Sequence, residues 1–410
     1  MAHTDVAVVG VGYSKHVSKR RDVNIAEMVW EAVSACYEDA GLKPKDVDAI
    51  CTGNMPAFEG VNIPELWGAG HWGAYGKPLM RITTGGTTGG SVAHGGYYAV
   101  SSGLFDTVLC IAFEKQSDGN STMGLNTVAL ADAAAMFQQG VDPGFLAAFG
   151  GGAVGIAVYQ AASYMKRSGC TTEHLDKVSV LCRTNAALNP YSHLKQPGLT
   201  PEEVAKTTLM QYPIRFGHVC PATDGACAML VTTGEKAKKL IDKPAYILSC
   251  ASCSEEASLM GIAGSGTTNM DPCVQESCKI AAKWAYDLAG IEDPRHEIDV
   301  AEPYSPFAHQ LLMFYERLLL CDDGEAPAIL DSGSMNLEGD LPVCPSGGVI
   351  STNAIGASAM ERVSEVALQI MGKAGDRQVK KEVHKGVAHG WGGAVNLNVV
   401  AVLSDTPRRS

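Results

Sequence analysis

Residues 36–50 read CYEDAGLKPKDVDAI, and residues 285–302 read AYDLAGIEDPRHEIDVAE. Each passage closes a helix on glycine, crosses a polar turn containing proline and enters a short apolar run. In the first copy Asn24–Ala40 has helical periodicity, with Ile25, Met28, Val29, Ala32, Val33 and Cys36 on one stripe. Gly41 supplies the residue after the helix that can turn left-handed, and Asp46–Cys51 follows as a strand. In the second copy Ser277–Ala289 is the helix, Gly290 its stop and Ile298–Ala301 the strand. A unit that recurs once, far along the chain, points to a duplicated fold with two like halves.

Working outward, Asp5–Val11 is a β-branched run ending in glycines and reads as a buried strand. Gly89–Glu114 carries a glycine pair, a small-residue helix and the strand Thr107–Phe113, and Gly347–Ile370 begins in the same way. Alternating strands and helices predict an α/β protein of mostly parallel sheets covered by helices. The expected organisation is 1–115 as the N-terminal half, 116–211 as an insertion, 212–245 as the end of that half and 246–410 as the C-terminal half. The insertion is richer in Met, Gln, Asn and Ser, and reads either as a lid over the site or as an excursion that packs an oligomer.

With 410 residues, 46% hydrophobic and 19% charged, the chain can bury a large core. A net charge of −12 repels phosphates and argues against nucleic acid or an anionic membrane as partner. An anionic coenzyme needs only a local basic patch. No apolar run approaches the ~20 residues that span a bilayer, and the N-terminus lacks the pattern of a secretory leader. Thirteen cysteines in such a chain read as reduced thiols, so a cytoplasmic location is expected. Cys250 and Cys253 form a lone CxxC that Cys273 and Cys278 do not complete, so no metal site is expected. No GxxxxGK[ST] loop occurs, and VGVGYS lacks the third glycine of a dinucleotide fingerprint.

Five landmarks carry a resemblance. VAVVGVGYSKH (6–16) with AEMVWEAVSACYEDAGLKPKDVDAICTGNM (26–55) resembles the opening of thiolases of the archaeal and sterol-carrier-protein type. DGACAMLVTTGEKAKKL (224–240) resembles their central segment, and AAKWAYDLAGI (281–291) with IDVAEPYSPFAHQLL (298–312) their last-third signature. PSGGVISTNAIGASAMERV (345–363) and AHGWGGAVNLNVVAVL (388–403) resemble the C-terminal glycine loop and final strand pair. The resemblance implies a duplicated five-layer (αβαβα) thiolase fold with an inserted lid or loop domain. It also implies a homodimer, acyl-CoA ligands, and coenzyme A as a substrate rather than a resident cofactor. Within the superfamily the chain is most similar to the thiolase-like subunits of benzoylsuccinyl-CoA thiolases. Those usually pair with a small zinc-finger/OB-fold subunit.

The resemblance also exposes what is missing. Ordinary thiolases attack with a cysteine thiolate, activate it with a histidine and move a proton with a second cysteine. Here the nucleophile segment reads ITTGGTTGGSV (82–92), and the cysteine position falls on Gly86. The histidine position falls on Asn353, and the His-Asp-Cys-Phe signature reads Tyr304-Ser305-Pro306-Phe307. The second-cysteine position falls on Gly390, beside His389.

Three readings follow. In the first, coenzyme A thiolate attacks a β-ketoacyl-CoA directly. His389 is the base, Asn353 and Tyr304 donate hydrogen bonds, and the loops of Gly86, Thr87 and Gly390 surround the developing oxyanion. Loss of the cysteine would then make room for a bulky acyl group. The second is retro-aldol cleavage with Tyr304 as base, which requires a strong fall from the usual pKa near ~10. The third is a non-catalytic subunit. Gly150 and Gly264 lie in the stretches Phe149–Gly152 and Gly261–Thr267, which the family analogy assigns to the pantetheine arm. Plainer roles stand beside these: His389 satisfied by a carbonyl, Tyr304 packed under a loop, Asn353 needed for a turn, Thr87 capping a helix. His94 and His309 read as structural. Cys220, in FGHVCPATDG, lies next to a signature and within reach of the pocket, without the surroundings of a reactive nucleophile.

Overall fold

The computed structural model describes residues 4–56, 58–61, 63–119, 152–255, 271, 273–392 and 396–408. The first half runs β1 (Val6–Tyr13), α1 (Ile25–Ala40), β2 (Ala49–Gly53), α2 (Pro64–Gly68), β3 (Leu79–Arg81), α3 (Thr88–Ser101) and β4 (Thr107–Lys115). Helices α4 (Gly152–Ser168), α5 (Thr172–Ala187) and α6 (Pro201–Ala205) and the hairpin β5 (Leu209–Gln211)–β6 (Ile214–Arg215) intervene. The half is completed by β7 (Asp224–Thr233) and α7 (Gly234–Leu240). The second half opens with β8 (Ala245–Ser254), α8 (Glu276–Ala289), α9 (Pro294–Glu297), β9 (Val300–Glu302) and α10 (Ala308–Arg317). It ends with α11 (Ala326–Asp331), α12 (Ile355–Met371), β10 (Lys385–Gly392) and β11 (Leu397–Ser404).

The repeat seen in the sequence is a repeat in space. From the midline outward the strands run β1-β7-β4-β2-β3 in one half and β8-β11-β10-β9 in the other. In each half the first strand therefore lies beside the last. Helices α1 and α8 both end on a left-handed glycine, Gly41 at φ 64° and Gly290 at φ 68°. Asn24 caps α1 by accepting from the Glu27 N–H, and Glu27 bonds back to the Asn24 N–H. The halves join where Val6–Val8 pair antiparallel with Ala245–Ile247, which makes one nine-stranded sheet.

The expectation of mostly parallel pairing is corrected. Pairings β2–β3, β2–β4 and β9–β10 are parallel, whereas β1–β7, β1–β8, β4–β7, β8–β11 and β10–β11 are antiparallel. The short link from β10 to β11 permits only an antiparallel return, since a parallel one needs a long crossover. An alternating βα pattern carries no mark of that.

Successive strand residues face opposite sides. Ala7 and Val9 pack into one core with α1 and α8, while Val6, Val8 and Val11 pack into another with α3 and α12. The five layers are thus an outer helix, a half-sheet, the central pair α3 and α12, the second half-sheet and another outer helix. Every residue of α12 from Gly356 to Met371 is buried, charged ones included. Those charges are paired, as buried charges must be. Arg362 Nη1 lies 2.7 Å from Glu302 Oε2, His16 Nε2 lies 2.8 Å from Glu361, and Arg377 Nε lies 2.9 Å from Glu365. Cys250 faces one core and Cys253 the other, so the CxxC cannot chelate from a strand.

Helices α4 and α5 dock on the second half. Tyr164 donates to Glu316 at 2.6 Å and Lys177 pairs with Asp331 at 3.0 Å. Among the described residues no helix is long and apolar enough to cross a membrane.

The central helices touch backbone to backbone, because a Cβ on Gly89 would lie 2.6 Å from the Met360 nitrogen and 2.8 Å from the Ala357 oxygen. Gly89→Val is expected to destabilise the protein by at least ~1–3 kcal/mol, since neither helix can yield. A urea midpoint equal to that of the parent protein would contradict this contact.

Candidate active site

The turn Thr84–Thr87 precedes α3 and meets the end of β10. A Cβ on Gly86 would lie 2.7 Å from the Trp391 carbonyl oxygen, 3.4 Å from Gly392 Cα and 3.4 Å from the Tyr304 hydroxyl. A Cβ on Gly392 would lie 2.4 Å from the Gly86 nitrogen and 2.5 Å from that of Thr87. Each glycine is required by the other. The space a nucleophilic side chain would need at Gly86 is occupied by backbone, so the missing cysteine leaves no extra room for an acyl group at that point. That expectation is corrected by the close approach of the two loops. Thr87 is buried, and its Oγ donates to the Thr84 carbonyl at 2.6 Å, holding the turn.

Tyr304 follows β9, is 2% exposed, and its hydroxyl takes no hydrogen bond among the described residues. Burial, and secondarily the neighbouring Cys220, drives its pKa up and keeps the phenol protonated. This is opposite to the fall that a tyrosinate base requires.

His389 lies on the face of β10 away from Gly86, with its ring 4.4 Å from that of Phe314. Its Nδ1 accepts from the Tyr304 backbone N–H at 3.2 Å, which leaves Nε2 to donate to Asn398 Oδ1 at 2.8 Å. Asn398 passes the chain on to Ser277 at 2.7 Å. Burial lowers the His389 pKa to about 4. With both ring nitrogens committed to protein groups, this imidazole holds the backbone of Tyr304, and the geometry does not support it as a general base. Gly390 lies on the same face of β10 as Gly392, but a Cβ there would meet Ala359 and Val399 at 2.8 Å rather than the Gly86 turn.

Asn353 is fixed at every polar atom. Its N–H donates to Thr223 Oγ at 3.2 Å and its carbonyl accepts from Gln116 at 2.7 Å. Its Oδ1 accepts from Ser358 at 3.0 Å, and its amide donates to Cys220 Sγ at 3.1 Å. Its φ is not positive, so turn geometry alone does not call for asparagine. Val219 bridges Phe307 and the Cys220 N–H donates to the Pro306 carbonyl at 2.9 Å, which sets Cys220 against the Tyr304 loop. The structure thus gathers Gly86, Thr87, Tyr304 and Asn353 with Cys220 and Gly392. The sequence reading put Cys220 within reach of the pocket without giving it a role there, and it did not name Gly392, although that residue stands in the same GWGG run as Gly390. Gly150 and Gly264 lie outside the described residues.

Two measurements test this arrangement. Gly86→Cys is expected to lower stability by ~1–3 kcal/mol through overpacking against the Trp391 carbonyl, with no acyl adduct on incubation with acyl-CoA. An adduct on that cysteine in a stably folded variant would refute the crowding. Separately, buried His94 and His389 are lowered to about 4 and His309 to about 3. The unfolded chain therefore takes up these protons first, and stability is full above the unperturbed value near ~6.5. As the pH falls from there toward 4 it should drop by about 1.4 kcal/mol per pH unit for each imidazole. Equal urea midpoints at neutral and mildly acidic pH would contradict this.

With the geometry established, relatives can be placed beside it. The family "Thiolase, N-terminal domain" matches residues 6–208, and "Thiolase C-terminal domain-like" matches residues 262–405. An acetyl-CoA acetyltransferase of Methanothermobacter thermautotrophicus is 30% identical over 98% of this chain and 99% of its own. A steroid side-chain-cleaving aldolase of Thermomonospora curvata is 27% identical over 83% of this chain and 84% of its own. Among solved structures the Ltp2-ChsH2(DUF35) aldolase superposes with a TM-score of 0.80 at 23% identity, covering 98% of both chains. The duplicated five-layer fold, the paired family matches and the end-to-end likeness to an archaeal acetyltransferase make this chain a member of the thiolase superfamily.

Proposed function

We propose that this protein makes or breaks a carbon–carbon bond of a β-ketoacyl-CoA without an acyl-cysteine intermediate. The observation that carries the reading is at Gly86. Where a thiolase nucleophile would stand, backbone fills the space and a protonated tyrosine hydroxyl, unpartnered among the described residues, lies alongside. Such a hydroxyl, fixed in a dry site, is suited to donate to a carbonyl oxygen as it gains charge. Coenzyme A thiolate attacks the ketone, Tyr304 stabilises the oxyanion, and collapse expels the second acyl-CoA as its enolate. Coenzyme A is a substrate here, and benzoylsuccinyl-CoA, giving benzoyl-CoA and succinyl-CoA, is the favoured ketone.

The likeness to a steroid side-chain-cleaving aldolase favours a second reading, retro-aldol cleavage of a β-hydroxyacyl-CoA. The raised pKa of Tyr304 weighs against it, since Tyr304 would have to ionise. We further propose a cytoplasmic homodimer. The open edge of β3, with Ile63, Leu66, Trp67 and Met80 exposed beside it, is a surface a second copy would cover. A small zinc-finger/OB-fold subunit is the proposed further partner.

Incubation with benzoyl-CoA and succinyl-CoA should yield the condensed thioester while the intact protein keeps its mass. Tyr304→Phe should lose ~10²-fold or more in rate. An acyl adduct on a cysteine would overturn the non-covalent mechanism, and turnover of a β-hydroxyacyl-CoA alone would move the assignment to the aldol reaction.

A further inference from the structure

We propose that Cys220 is the proton carrier of this site, taking the place of the acid–base cysteine absent at Gly390; this rests on the C–C bond reading above. Three structural facts bear on it. Of thirteen cysteines all but Cys220 and Cys253 are buried, and Cys253 stands in β8, with β11 between it and β10. The Cys220 sulfur accepts from the Asn353 amide at 3.1 Å, and Asn353 is itself held by Thr223, Gln116 and Ser358, so the N–H has a fixed aim. The segment carrying Cys220 pairs with Pro306 and Phe307, which sets the thiol against the Tyr304 loop. Independently, Tyr304 is a buried residue whose hydroxyl is unpartnered among the described residues, and it marks where a ligand oxygen completes the set.

Any enolate expelled from a ketoacyl-CoA must gain a proton on carbon. Burial pushes the Cys220 pKa up to about 12, so at neutral pH the group is a thiol with a proton to give. That property suits an acid and not a standing nucleophile. The C–C electron pair becomes the enolate, and the α-carbon takes the proton from the Cys220 S–H. The resulting thiolate is held by the Asn353 N–H. It then takes the proton of the next coenzyme A thiol, which generates the attacking CoA thiolate. No oxidant or other reactant is needed. In the condensing direction the same thiolate removes the α-proton.

The test uses the full chain with succinyl-CoA and benzoyl-CoA in deuterated buffer. Exchange of the succinyl α-protons is followed by NMR, product by mass spectrometry, and succinyl-CoA binding by calorimetry. Cys220→Ala and Cys220→Ser are expected to lose exchange by ~10²-fold or more while binding and melting temperature stay those of the parent. Should the variants not fold, iodoacetamide treatment of the parent protein serves instead. Exchange should fall in proportion to carbamidomethylation of Cys220, with succinyl-CoA protecting both. Exchange at the parental rate in a folded Cys220→Ala, or after full alkylation, overturns the assignment. Parental product formation in that variant overturns Cys220 alone and leaves the C–C reading standing. Exchange without any product in the parent protein retains Cys220 and overturns that reading, and neither exchange nor product overturns both.

Discussion

Everything distinctive about this site depends on one backbone contact, where the turn before α3 in the first half meets the end of β10 in the second at Gly86 and Gly392. The contact exists only because neither residue has a side chain, and it brings together segments distant in sequence. It closes the position from which a covalent nucleophile would act. It also defines the point beside which the Tyr304 hydroxyl stands. The central helices α3 and α12 approach as closely at Gly89 and Met360, so both the chemistry and the core rely on glycine where the halves face each other.

The site's protonation states follow from burial. His389, Tyr304 and Cys220 are each driven toward the neutral form. A neutral imidazole with both nitrogens engaged positions backbone, while a neutral phenol and a neutral thiol each retain a proton that the proposed chemistry would use. None of these three described groups is a standing anion, which is consistent with coenzyme A itself bringing the nucleophile. Charge is concentrated instead in the paired residues of α12, where Arg362 and Glu302 neutralise each other.

Much of the fold was legible in the chain. The paired passages ending in Gly41 and Gly290 foretold the duplication, and the stripe from Met28 to Cys36 foretold the buried face of α1. The antiparallel strand pairings were not legible, because periodicity reports which face is buried and not which way a neighbour runs. Of the site residues, Gly86, Thr87, Tyr304 and Asn353 were named from motif position and are gathered by the fold. His389 was named on the same grounds and points to the other side of β10, because alternate residues of a strand face opposite sides and only the pairing decides which side is which, whereas Gly390 shares the face of Gly392 but is packed against Ala359 and Val399. The partnership of Cys220 with Asn353 had no local signal, since the two meet only through segments far apart in sequence.

The sequence by itself determined the architecture and the absence of a cysteine at the nucleophile position. Helix stops, buried stripes and missing side chains are properties of local sequence. Only the tertiary structure decided what that absence means, namely that the vacant position is closed by the Trp391 carbonyl and flanked by a protonated tyrosine. Crowding and protonation are set by neighbours from both halves of the chain, and no single stretch of sequence contains them.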